Sequence, residues 1–560
     1  MKPDVPDGFN NFFSSVGQVL DNKIPKVDTD PLEYLIEQDF ESHATIPPAT
    51  PSEVENIIKS LNSVGGGIDK INTHILFGTY TNILHHLTFF FNLCLKNAVF
   101  PDNLKVAVIT PLFKSGSRDK FTNYRPISLL PIFSKILEKI VIANLSTFLE
   151  SHNILNPFQF GFRRKHSTYM PLAHMYDEIT KNLEAKEITC TLYLDLKKAF
   201  DTVSIEILLK KLNFIGVKGC LLGILKSYLS NRCQITKVYY KYSKKRPVLL
   251  GVPQGSILGP LLFILYVNDL GNISDLAKFY LFADDTAILI KGKNLELLQT
   301  KINQLLPLVT KWFHSNRLSL NVLKTHYQLY SMTPSVDLNV YLDGGKIERR
   351  ECVKYLGVYV DENLKWHSHI AGVVKVISRN IGVMGRVKHF LSPRELVLLY
   401  NTLVLPHINY CAVIWGRNYP SNIKRIMILQ KRAVRIIENK PYLFPTNTLF
   451  IKHMILKFPD IVREQSIMIL LAFINNTLPD PIANMFKYET ISNTRQAKHF
   501  VIPRARNNYR QFSLSCSAPK IWYALVGKMY KYINEVPTNK STLKKHVRKY
   551  IINEYRELTE

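Results

Sequence analysis

Two neighbouring carboxylates, Asp284 and Asp285, are the residues of this 560-residue chain whose types and spacing most directly suggest chemistry. Apolar and aromatic residues lead into the pair from Phe279, and a second apolar run follows as far as Ile290. This pattern predicts the tip of a β-hairpin between two short strands. Adjacent carboxylates on buried arms repel each other and resist desolvation unless a cation neutralises them, and Mg²⁺ suits oxygen ligands. For the pair considered alone, an ordinary acidic turn is the alternative.

A second acidic segment favours the metal interpretation. Asp195 ends an apolar run that begins at Thr191, so its side chain would emerge beside Asp284 if the two strands are neighbours in one sheet. Aspartates arranged in this way hold two metal ions about 3.5–4 Å apart, which is a clamp for in-line displacement at phosphorus. Capping of the helix that follows is the alternative role for Asp195.

Further segments give the chain a resemblance to a known family. The two acidic segments, with Ala199-Phe200-Asp201 after the first, resemble the metal-binding palm motifs of reverse transcriptases in the version of non-LTR (LINE-type, Jockey-like) retrotransposons. Five other segments resemble the family's remaining motifs and follow in its order: 123–130 (fingers), 159–168, 251–260 (template grip), 316–325 and 355–358. Each motif alone is modest, but the ordered set spans roughly residues 105–360 and makes the resemblance specific.

The resemblance implies an α+β fold with the architecture of a right-hand polymerase. It would have fingers, a palm with an antiparallel sheet covered by helices, a helical thumb, and a mainly helical basic C-terminal region. The expected boundaries are a leader at 1–50, fingers at 51–190, palm at 191–345 with a fingers-contributing insert around 204–250, thumb at 346–440 and the C-terminal region at 441–560. The order of predicted elements indicates helices on one face of the sheet. Since about a hundred residues precede the fingers motif, we expect the polymerase part without the N-terminal endonuclease of full-length elements.

The resemblance also implies roles for individual residues. Two Mg²⁺ ions, with Mn²⁺ as the alternative ion, would be held by the carboxylates Asp195, Asp284 and Asp285 and the backbone carbonyl of Leu196. Lys324 would donate a proton to the leaving pyrophosphate. The residues expected around the incoming deoxynucleotide are Lys114, Arg125, Ala199, Phe200, Gln254 and Gly255.

Each of these roles has a physical reason and a structural alternative. Arg125 would clasp phosphate oxygens through two donors, and Lys114 would act as a point charge. A bulky ring at Phe200 would exclude a ribose 2′-hydroxyl by steric clash, and the Gln254 amide would bond to the nascent base pair where glycine lets the backbone approach. The alternatives are solvated lysines at Lys114 and Lys324, a core role for Phe200 and an ordinary turn at 254–255.

The charge of the chain is large and uneven. Formal net charge is +28, and residues 371–560 alone hold 30 Lys and Arg against 10 Asp and Glu. Such a basic region implies a polyanionic partner, with nucleic acid as the default. The residues expected to contact nucleic-acid phosphates are Arg163 and Arg164 in a loop, and Lys424, Lys431 and Arg435 on one face of a predicted helix over 423–436. A solvated loop and a solvated helix face are the respective alternatives.

The end of the chain combines basic and aromatic residues. These include Arg504, Arg506, Arg510, Trp522, Tyr523 and the run 544–549. Aromatic rings beside Arg suit stacking on unpaired bases, and a small core with a basic rim is the alternative. Upstream, Ser392-Pro393-Arg394-Glu395 predicts a helix start with a capping box.

Several classes of protein are disfavoured by what the chain contains. Its 7 cysteines lie far apart without zinc-ligand spacing, its apolar stretches are too short to span a bilayer, and its N-terminus has no signal pattern. We therefore expect an intracellular protein that is not secreted and does not use a membrane. The resemblance implies nuclear action, with cytoplasmic binding to template RNA as the alternative.

The predicted function is RNA-directed DNA polymerisation from dNTPs, with an RNA template, a DNA primer and target DNA as partners. Three alternatives stay open. A decayed or host-adopted copy would only bind nucleic acid, a reverse transcriptase of another class such as an intron maturase would share the palm, and a basic protein could bind a membrane surface. Protein partners are not indicated.

Overall fold

The computed structural model describes residues 5–37, 44–62, 65–333, 337–490, 498–530 and 536–557. Helices dominate these ranges. In chain order they are α1 (Val5–Asp21), α2 (Pro51–Lys59), α3 (Thr73–Lys96), α4 (Ile132–Ser151), α5 (Tyr169–Glu184), α6 (Ile205–Phe214), α7 (Gly219–Leu229), α8 (Leu258–Tyr266), α9 (Leu295–Ser315), α10 (His367–Val387), α11 (Pro393–Leu399), α12 (Leu405–Asn409), α13 (Ala412–Trp415), α14 (Pro420–Ile437), α15 (Asn447–Lys452), α16 (Phe458–Ile474), α17 (Asp480–Ala483), α18 (Asn508–Phe512), α19 (Leu514–Met529) and α20 (Lys540–Glu557).

The strands of the described ranges form two larger sheets and several two-stranded ribbons. In chain order they are β1 (Val106–Phe113), β2 (Tyr124–Leu129), β3 (Ile188–Leu194), β4 (Cys233–Val238), β5 (Lys241–Tyr242), β6 (Arg246–Pro247), β7 (Ala277–Phe282), β8 (Asp285–Gly292), β9 (His326–Tyr330), β10 (Tyr341–Leu342), β11 (Gly345–Lys346), β12 (Glu348–Arg349), β13 (Cys352–Tyr355), β14 (Val358–Asp361), β15 (Tyr488–Thr490) and β16 (Lys498–Phe500). The mixed α and β composition that was predicted is confirmed.

The sheet that carries the acidic segments has the strand order β12-β9-β3-β8-β7. Its pairs β3–β8, β3–β9 and β7–β8 are antiparallel, as predicted, whereas the short edge pair β9–β12 is parallel. Helices were predicted on one face, but both faces are covered. Tyr193 of β3 packs in a core with α5, while its neighbours Leu192 and Leu194 pack in a core with α9. Because both sides are dry, β3 and β8 read as continuous apolar runs rather than as alternating ones.

A second sheet has the order β2-β1-β4-β5, with β6 also paired to β4. Strands β1 and β2 form an antiparallel hairpin, and β4 runs parallel to β1 from Cys233 to Thr236. The hairpin predicted around the fingers motif is therefore present. Its turn begins with Lys114, directly after β1, near enough to the acidic segments for its charge to act on Asp284 and Asp285.

The first fifty residues were predicted to be a leader, and this expectation needs correction. Helix α1 packs its Phe9 and Phe13 rings against the second sheet, and its Asn10 side chain is fully buried there. At its end, Arg317 donates to the Asp21 carboxylate at 2.7 Å, which ties the helix to the segment after α9. The sequence pattern missed this helix because Asn, Ser and Gly interrupt its apolar face.

The helices after β14 share one continuous core. Trp415 stacks on Phe458 with ring centroids 5.0 Å apart, so the core crosses the expected boundary at residue 440 without a break. Arg510 is buried and pairs with the buried Asp177 of α5 at 2.5 Å. Trp522 is buried as well. The end of the chain therefore packs against α5, which covers the sheet that carries the acidic segments. Arg510 and Trp522 are part of this protein core rather than of a base-stacking surface.

Candidate active site

The acidic pair lies at a hairpin tip, as the sequence predicted. Phe282 pairs with Asp285 across β7 and β8, which leaves Ala283 and Asp284 as a two-residue turn. Ala283 has a φ of +56°, a conformation that costs a residue with a side chain some strain. The turn therefore presents Asp284 at its apex and Asp285 at the first position of β8.

Pairing between β3 and β8 brings the third carboxylate to this tip. Leu194 is opposite Thr286 in the antiparallel register, and Asp195 follows at the end of β3, next to Asp285. Asp195 and Asp285, 90 positions apart in the sequence, thus become neighbours in the sheet. Asp195 and Asp285 line one cleft together with Lys324, His326 and Tyr355.

Asp195 is held by Asn321 and Thr325 of the motif-like segment 316–325, a role that the sequence did not predict. The Asn321 amide donates to the Asp195 carboxylate at 2.7 Å, and the Asn321 backbone N–H donates to the Asp195 carbonyl at 2.8 Å. The Asp195 N–H donates to the Thr325 hydroxyl at 3.3 Å. Two backbone hydrogen bonds join these segments, from Lys197 to Ser319 and from Asn321 to Asp195. Neither uses the carbonyl of Leu196, which therefore remains available as an oxygen ligand.

The electrostatics of the tip favour a bound cation. Reduced hydration raises the pKa of Asp284, and the nearby Asp195 carboxylate raises it further. The pKa of Asp285 rises to about 6, because of reduced hydration first and then repulsion from Asp284 and Asp195. The cations Lys114 and Arg125 act in the opposite direction on both groups. Carboxylates in this situation are stabilised as anions when positive charge arrives.

The oxygen donors of the tip suit a metal ion that brings some of its own ligands. Within the described ranges, no three His, Cys, Asp or Glu side chains already converge closely enough to hold an ion by themselves. Mg²⁺ at sites of phosphate chemistry is typically held by one or two carboxylates with waters and substrate phosphates. Asp195 and the Asp284–Asp285 turn, all oxygen donors, fit an ion that arrives with a phosphate ligand.

The turn rests on residues 159–161, which open one of the motif-like segments of the sequence. Gln159 forms a parallel bridge with Leu281 of β7, and its side-chain oxygen accepts the N–H groups of Gly161 at 3.0 Å and Ala283 at 3.4 Å. A Cβ atom at Gly161 would lie 2.5 Å from the Ala283 nitrogen. The backbone of Gly161 is therefore packed directly under the acidic turn, where only glycine fits.

Four cations lie near the acidic cleft. Lys114 and Arg125 lie on the β1–β2 hairpin and are exposed. Burial lowers the pKa of Lys198, and the neighbouring cations Lys114, Arg125 and Lys324 lower it further. The Lys198 ammonium donates to the carbonyl of Tyr124 at 3.1 Å. The structure thus brings Lys114, Arg125 and Lys324 together around the carboxylates, and it adds Lys198 to the predicted set.

The region that contains these carboxylates and cations matches a known protein family. Residues 114–360 match the family model described as "Reverse transcriptase (RNA-dependent DNA polymerase)". Residues 114–360 form a reverse transcriptase domain.

Relatives in Drosophila melanogaster extend the match beyond the domain. The chain is 28% identical over 428 residues to the probable RNA-directed DNA polymerase from transposon X-element, covering 74% of this chain and 46% of that protein. It is 30% identical over 423 residues to the corresponding protein from transposon BS, with 72% and 46% covered. Against the RNA-directed DNA polymerase from mobile element jockey it is 27% identical over 433 residues, with 75% and 47% covered. The chain thus spans about half the length of these relatives, and the predicted resemblance to non-LTR retrotransposon polymerases is confirmed.

Members of the reverse transcriptase family use divalent metal ions, in keeping with the oxygen donors of the hairpin tip.

In the described part of the chain, no helix has both the length and the apolar character that crossing a membrane requires.

In the reverse transcriptase domain, Phe200 lies between core and cleft. Its ring stacks on Phe263 with centroids 4.5 Å apart, contacts Phe162 edge-on at 6.4 Å, and is half-buried. Ala199 before it is buried. One face of the Phe200 ring is therefore fixed by packing while the side chain still reaches solvent, so the geometry is compatible with both roles considered for it.

The template-grip segment is clamped between two parts of the domain. Gly255 has a φ of +112°, and a Cβ atom there would lie 2.8 Å from the Ser128 carbonyl of β2. The Gln254 carbonyl accepts the Ser128 N–H at 2.8 Å, and its side-chain amide donates to Asp201 at 2.9 Å. Burial raises the pKa of Asp201 to about 6, and the bond from Gln254 opposes this rise. The Gln254 oxygen is thereby left for another partner.

Glu138 of α4 also holds this segment, and no pattern in the sequence singled it out. The side chain is fully buried, and its carboxylate accepts the N–H groups of Ile257 at 2.6 Å and Leu258 at 3.0 Å. Burial raises the Glu138 pKa, and these bonds at the start of α8 lower it. A carboxylate at a helix N-terminus satisfies donors that the helix leaves unpaired.

The residues predicted to contact nucleic acid differ in their surroundings. Arg163 donates to the carbonyls of Asn156 at 3.0 Å and Gln159 at 3.2 Å, so its guanidinium supports its own loop, whereas Arg164 is exposed. In α14, Lys424 and Lys431 are exposed on one face. The third predicted member of that face, Arg435, is half-buried.

Arg435 donates to the Phe444 carbonyl at 2.8 Å and lies over the Tyr442 ring. The opposite face of α14 is only partly as predicted, since Ile426 and Ala433 are buried whereas Leu429 and Ile436 are half-buried. The buried Gln430 lies on that inner face with them.

Proposed function

We propose that this protein is an RNA-directed DNA polymerase of a non-LTR retrotransposon. It joins the α-phosphate of a deoxynucleotide to a primer 3′-hydroxyl, copies an RNA template, and releases pyrophosphate. The observation that carries the proposal is the β3–β8 pairing, which sets Asp195 beside the Asp284–Asp285 turn in a domain of the reverse transcriptase family.

The carboxylates of Asp195, Asp284 and Asp285 and the Leu196 carbonyl would hold two Mg²⁺ ions, or Mn²⁺ in their place. When bound, such ions activate the attacking hydroxyl and neutralise charge on the leaving group. Asn321 keeps the Asp195 carboxylate oriented toward the cleft through its 2.7 Å bond. These oxygens come from two chain segments, 195–196 and 284–285, that strand pairing sets side by side, which suits an ion shared with a triphosphate.

The cations opposite the carboxylates would bind the triphosphate. Arg125 can clasp two phosphate oxygens, and Lys114 and Lys324 can add point charges. Lys324 would also protonate pyrophosphate as it leaves. Ala199, Gln254 and Gly255 would border the nucleotide, with the free Gln254 oxygen facing the nascent pair. Arg164 would contact the template backbone, and Arg163 would support its loop.

The right-hand architecture is part of the same proposal. Residues 51–190 would supply the fingers, 191–345 the palm and 346–440 the thumb, and residues 441–560 would brace the thumb through their shared core. Helix α1 would then belong to the fingers because it packs on the sheet of β1 and β2.

Primer extension tests the function directly. The purified chain should extend a DNA primer on an RNA template with dNTPs and Mg²⁺, and should stop when the ion is removed with a chelator. Extension on a DNA template measures how strictly the template is chosen. Tight binding of primer–template without extension would favour a decayed copy that only binds nucleic acid.

Sugar selection by Phe200 is expected to depend on its ring. Phe200→Val should admit ribonucleotides, lowering discrimination by at least roughly tenfold, with a smaller loss of deoxynucleotide use. The reason is that a ring held on one face by Phe263 cannot move away from a 2′-hydroxyl. Specificity constants for matched ribo- and deoxynucleotides measure the effect. Unchanged discrimination in a variant that unfolds at the wild-type temperature would assign Phe200 to the core.

If α14 contacts the phosphates of a bound duplex, it should contribute to the salt dependence of duplex affinity. Each phosphate contact lowers the slope of log affinity against log salt by about 0.9, so neutralising Lys424, Lys431 and Arg435 to Gln should flatten it by up to roughly three contacts' worth. The loss should be similar for all sequences, because phosphates carry no base identity. A matched variant that neutralises the exposed Lys23, Lys96 and Lys226 removes equal charge elsewhere and should keep the slope. Equal slopes for both variants would make α14 a solvated face.

A further inference from the structure

The β4–β5 hairpin ends in two tyrosines that no packing explains. Lys237 pairs with Tyr242 and Val238 with Lys241, so Tyr239 and Tyr240 form the two-residue turn. Their exposed fractions are 89% and 95%, the highest of any large apolar or aromatic side chains in the described ranges except Leu323. The rings therefore project into solvent at a protruding tip.

The Tyr239-Tyr240 sequence is unusual for a two-residue hairpin turn. Two-residue hairpin turns favour Asn-Gly or Asp-Gly, because left-handed backbone is needed there. Tyr239 instead adopts a φ of +53°, and a bulky residue in that region is strained. Neither folding nor solubility is served by two exposed aromatic rings on a strained turn, so the tip has features expected of a binding surface.

The charge around the rings is positive. Lys237 lies with its ammonium 5.4 Å from the centroid of the Tyr242 ring, and Lys241 and Lys244 are exposed. No Asp or Glu occurs between residues 207 and 268. Asp7 of α1 contacts the hairpin from another element, and its carboxylate accepts the Lys244 N–H at 2.9 Å at the base rather than at the tip.

The hairpin also points in a defined direction. Strand β4 runs parallel to β1 from Cys233 to Thr236, and β1 leads to Lys114 at the carboxylate cleft. The tip therefore projects from the same end of the same sheet as the nucleotide-binding candidates. Its base is anchored, since the Asn10 amide donates to the Lys244 carbonyl at 2.7 Å and Val238 packs against the hydrophobic cluster that contains Phe9.

We propose that Tyr239 and Tyr240 stack on unpaired bases of a single-stranded nucleic acid, while Lys237, Lys241 and Lys244 contact its phosphates. Resting on the proposed function, the strand is assigned as the template that has not yet been copied. Aromatic rings accept any base because every base has a flat face, and duplex offers no such faces along its length. The site thus complements α14, which is assigned to duplex.

A binding experiment with the full chain separates the two forms of nucleic acid. One substrate is a blunt primer–template duplex, and the other is the same duplex with ten unpaired RNA nucleotides at the template 5′ end. We expect the wild type to bind the overhang substrate more tightly. Changing Tyr239→Asn together with Tyr240→Gly should reduce that affinity roughly tenfold or more, from the loss of one or two stacked bases, and leave blunt duplex unchanged.

Two features of the variants guard against misfolding as the cause. Asn-Gly suits the turn better than Tyr-Tyr, so thermal unfolding should occur at the wild-type temperature or above. Tyr239→Phe with Tyr240→Phe retains both rings and should bind the overhang as the wild type does.

The inference is overturned if the Asn-Gly variant keeps the overhang affinity, if both substrates weaken equally, or if the Phe variant loses as much as the Asn-Gly variant. Failure of the wild type to extend primers would count against the proposed function alone, because overhang binding through the tyrosines is measured without catalysis.

Discussion

Replacing Asp195 by Asn, or Asp284 by Asn, should abolish primer extension while leaving primer–template affinity nearly unchanged. Each substitution removes a negative oxygen ligand but keeps the size of the side chain. Metal ions contribute several kcal/mol to charge stabilisation in such transition states, so the extension rate should fall by roughly 10³-fold or more. Asn at 195 can still accept the bond from Asn321, so the local structure should survive.

The measurement is single-turnover extension together with equilibrium binding for each variant. Glu187→Gln is the matched control, because Glu187 precedes the opposite end of β3 and pairs with Lys291 at 3.0 Å. It removes one carboxylate charge just before the same strand and should extend at close to the wild-type rate. Near-wild-type extension by either Asp variant would remove the two-metal assignment.

Adding a single methyl group at Gly161 should cause the second-largest loss of primer extension. The Cβ atom of Gly161→Ala would lie 2.5 Å from the Ala283 nitrogen and 3.0 Å from the Phe282 carbonyl carbon, distances that the backbone cannot tolerate. The turn that carries Asp284 must therefore move. Displacement of catalytic groups by about 1 Å lowers rates roughly 10²-fold, so extension should fall by that order while duplex binding is retained.

Gly78→Ala offers the comparison for this change. Gly78 lies within α3, and a Cβ atom there has no neighbour within 4 Å. Ala at an open helical position stabilises a protein by about 0.4–1 kcal/mol, so this variant should be fully active and slightly more heat-stable. A Gly161→Ala protein that folds and extends at the wild-type rate would show that the turn tolerates displacement.

Local signals in the sequence predicted several elements correctly. The apolar runs on either side of Asp284 and Asp285 predicted the hairpin that β7 and β8 form. The segment Ser392–Glu395 predicted a helix start, and α11 begins there with both capping-box bonds present. These features depend on residues a few positions apart, whose periodicity and hydrogen-bonding groups are readable without knowledge of the fold.

The sequence by itself thus determined the carboxylate segments, their order, the basic charge of the last third and, by resemblance, the family. Only the tertiary structure decided which side chains support the site. Asn321 and Asp195 are 126 residues apart, and Glu138 and Leu258 are 120 apart. Such partners meet because of strand register and helix packing, which no local pattern encodes. For the same reason the burial of Arg510 became evident only once its long-range partner Asp177 was found beside it.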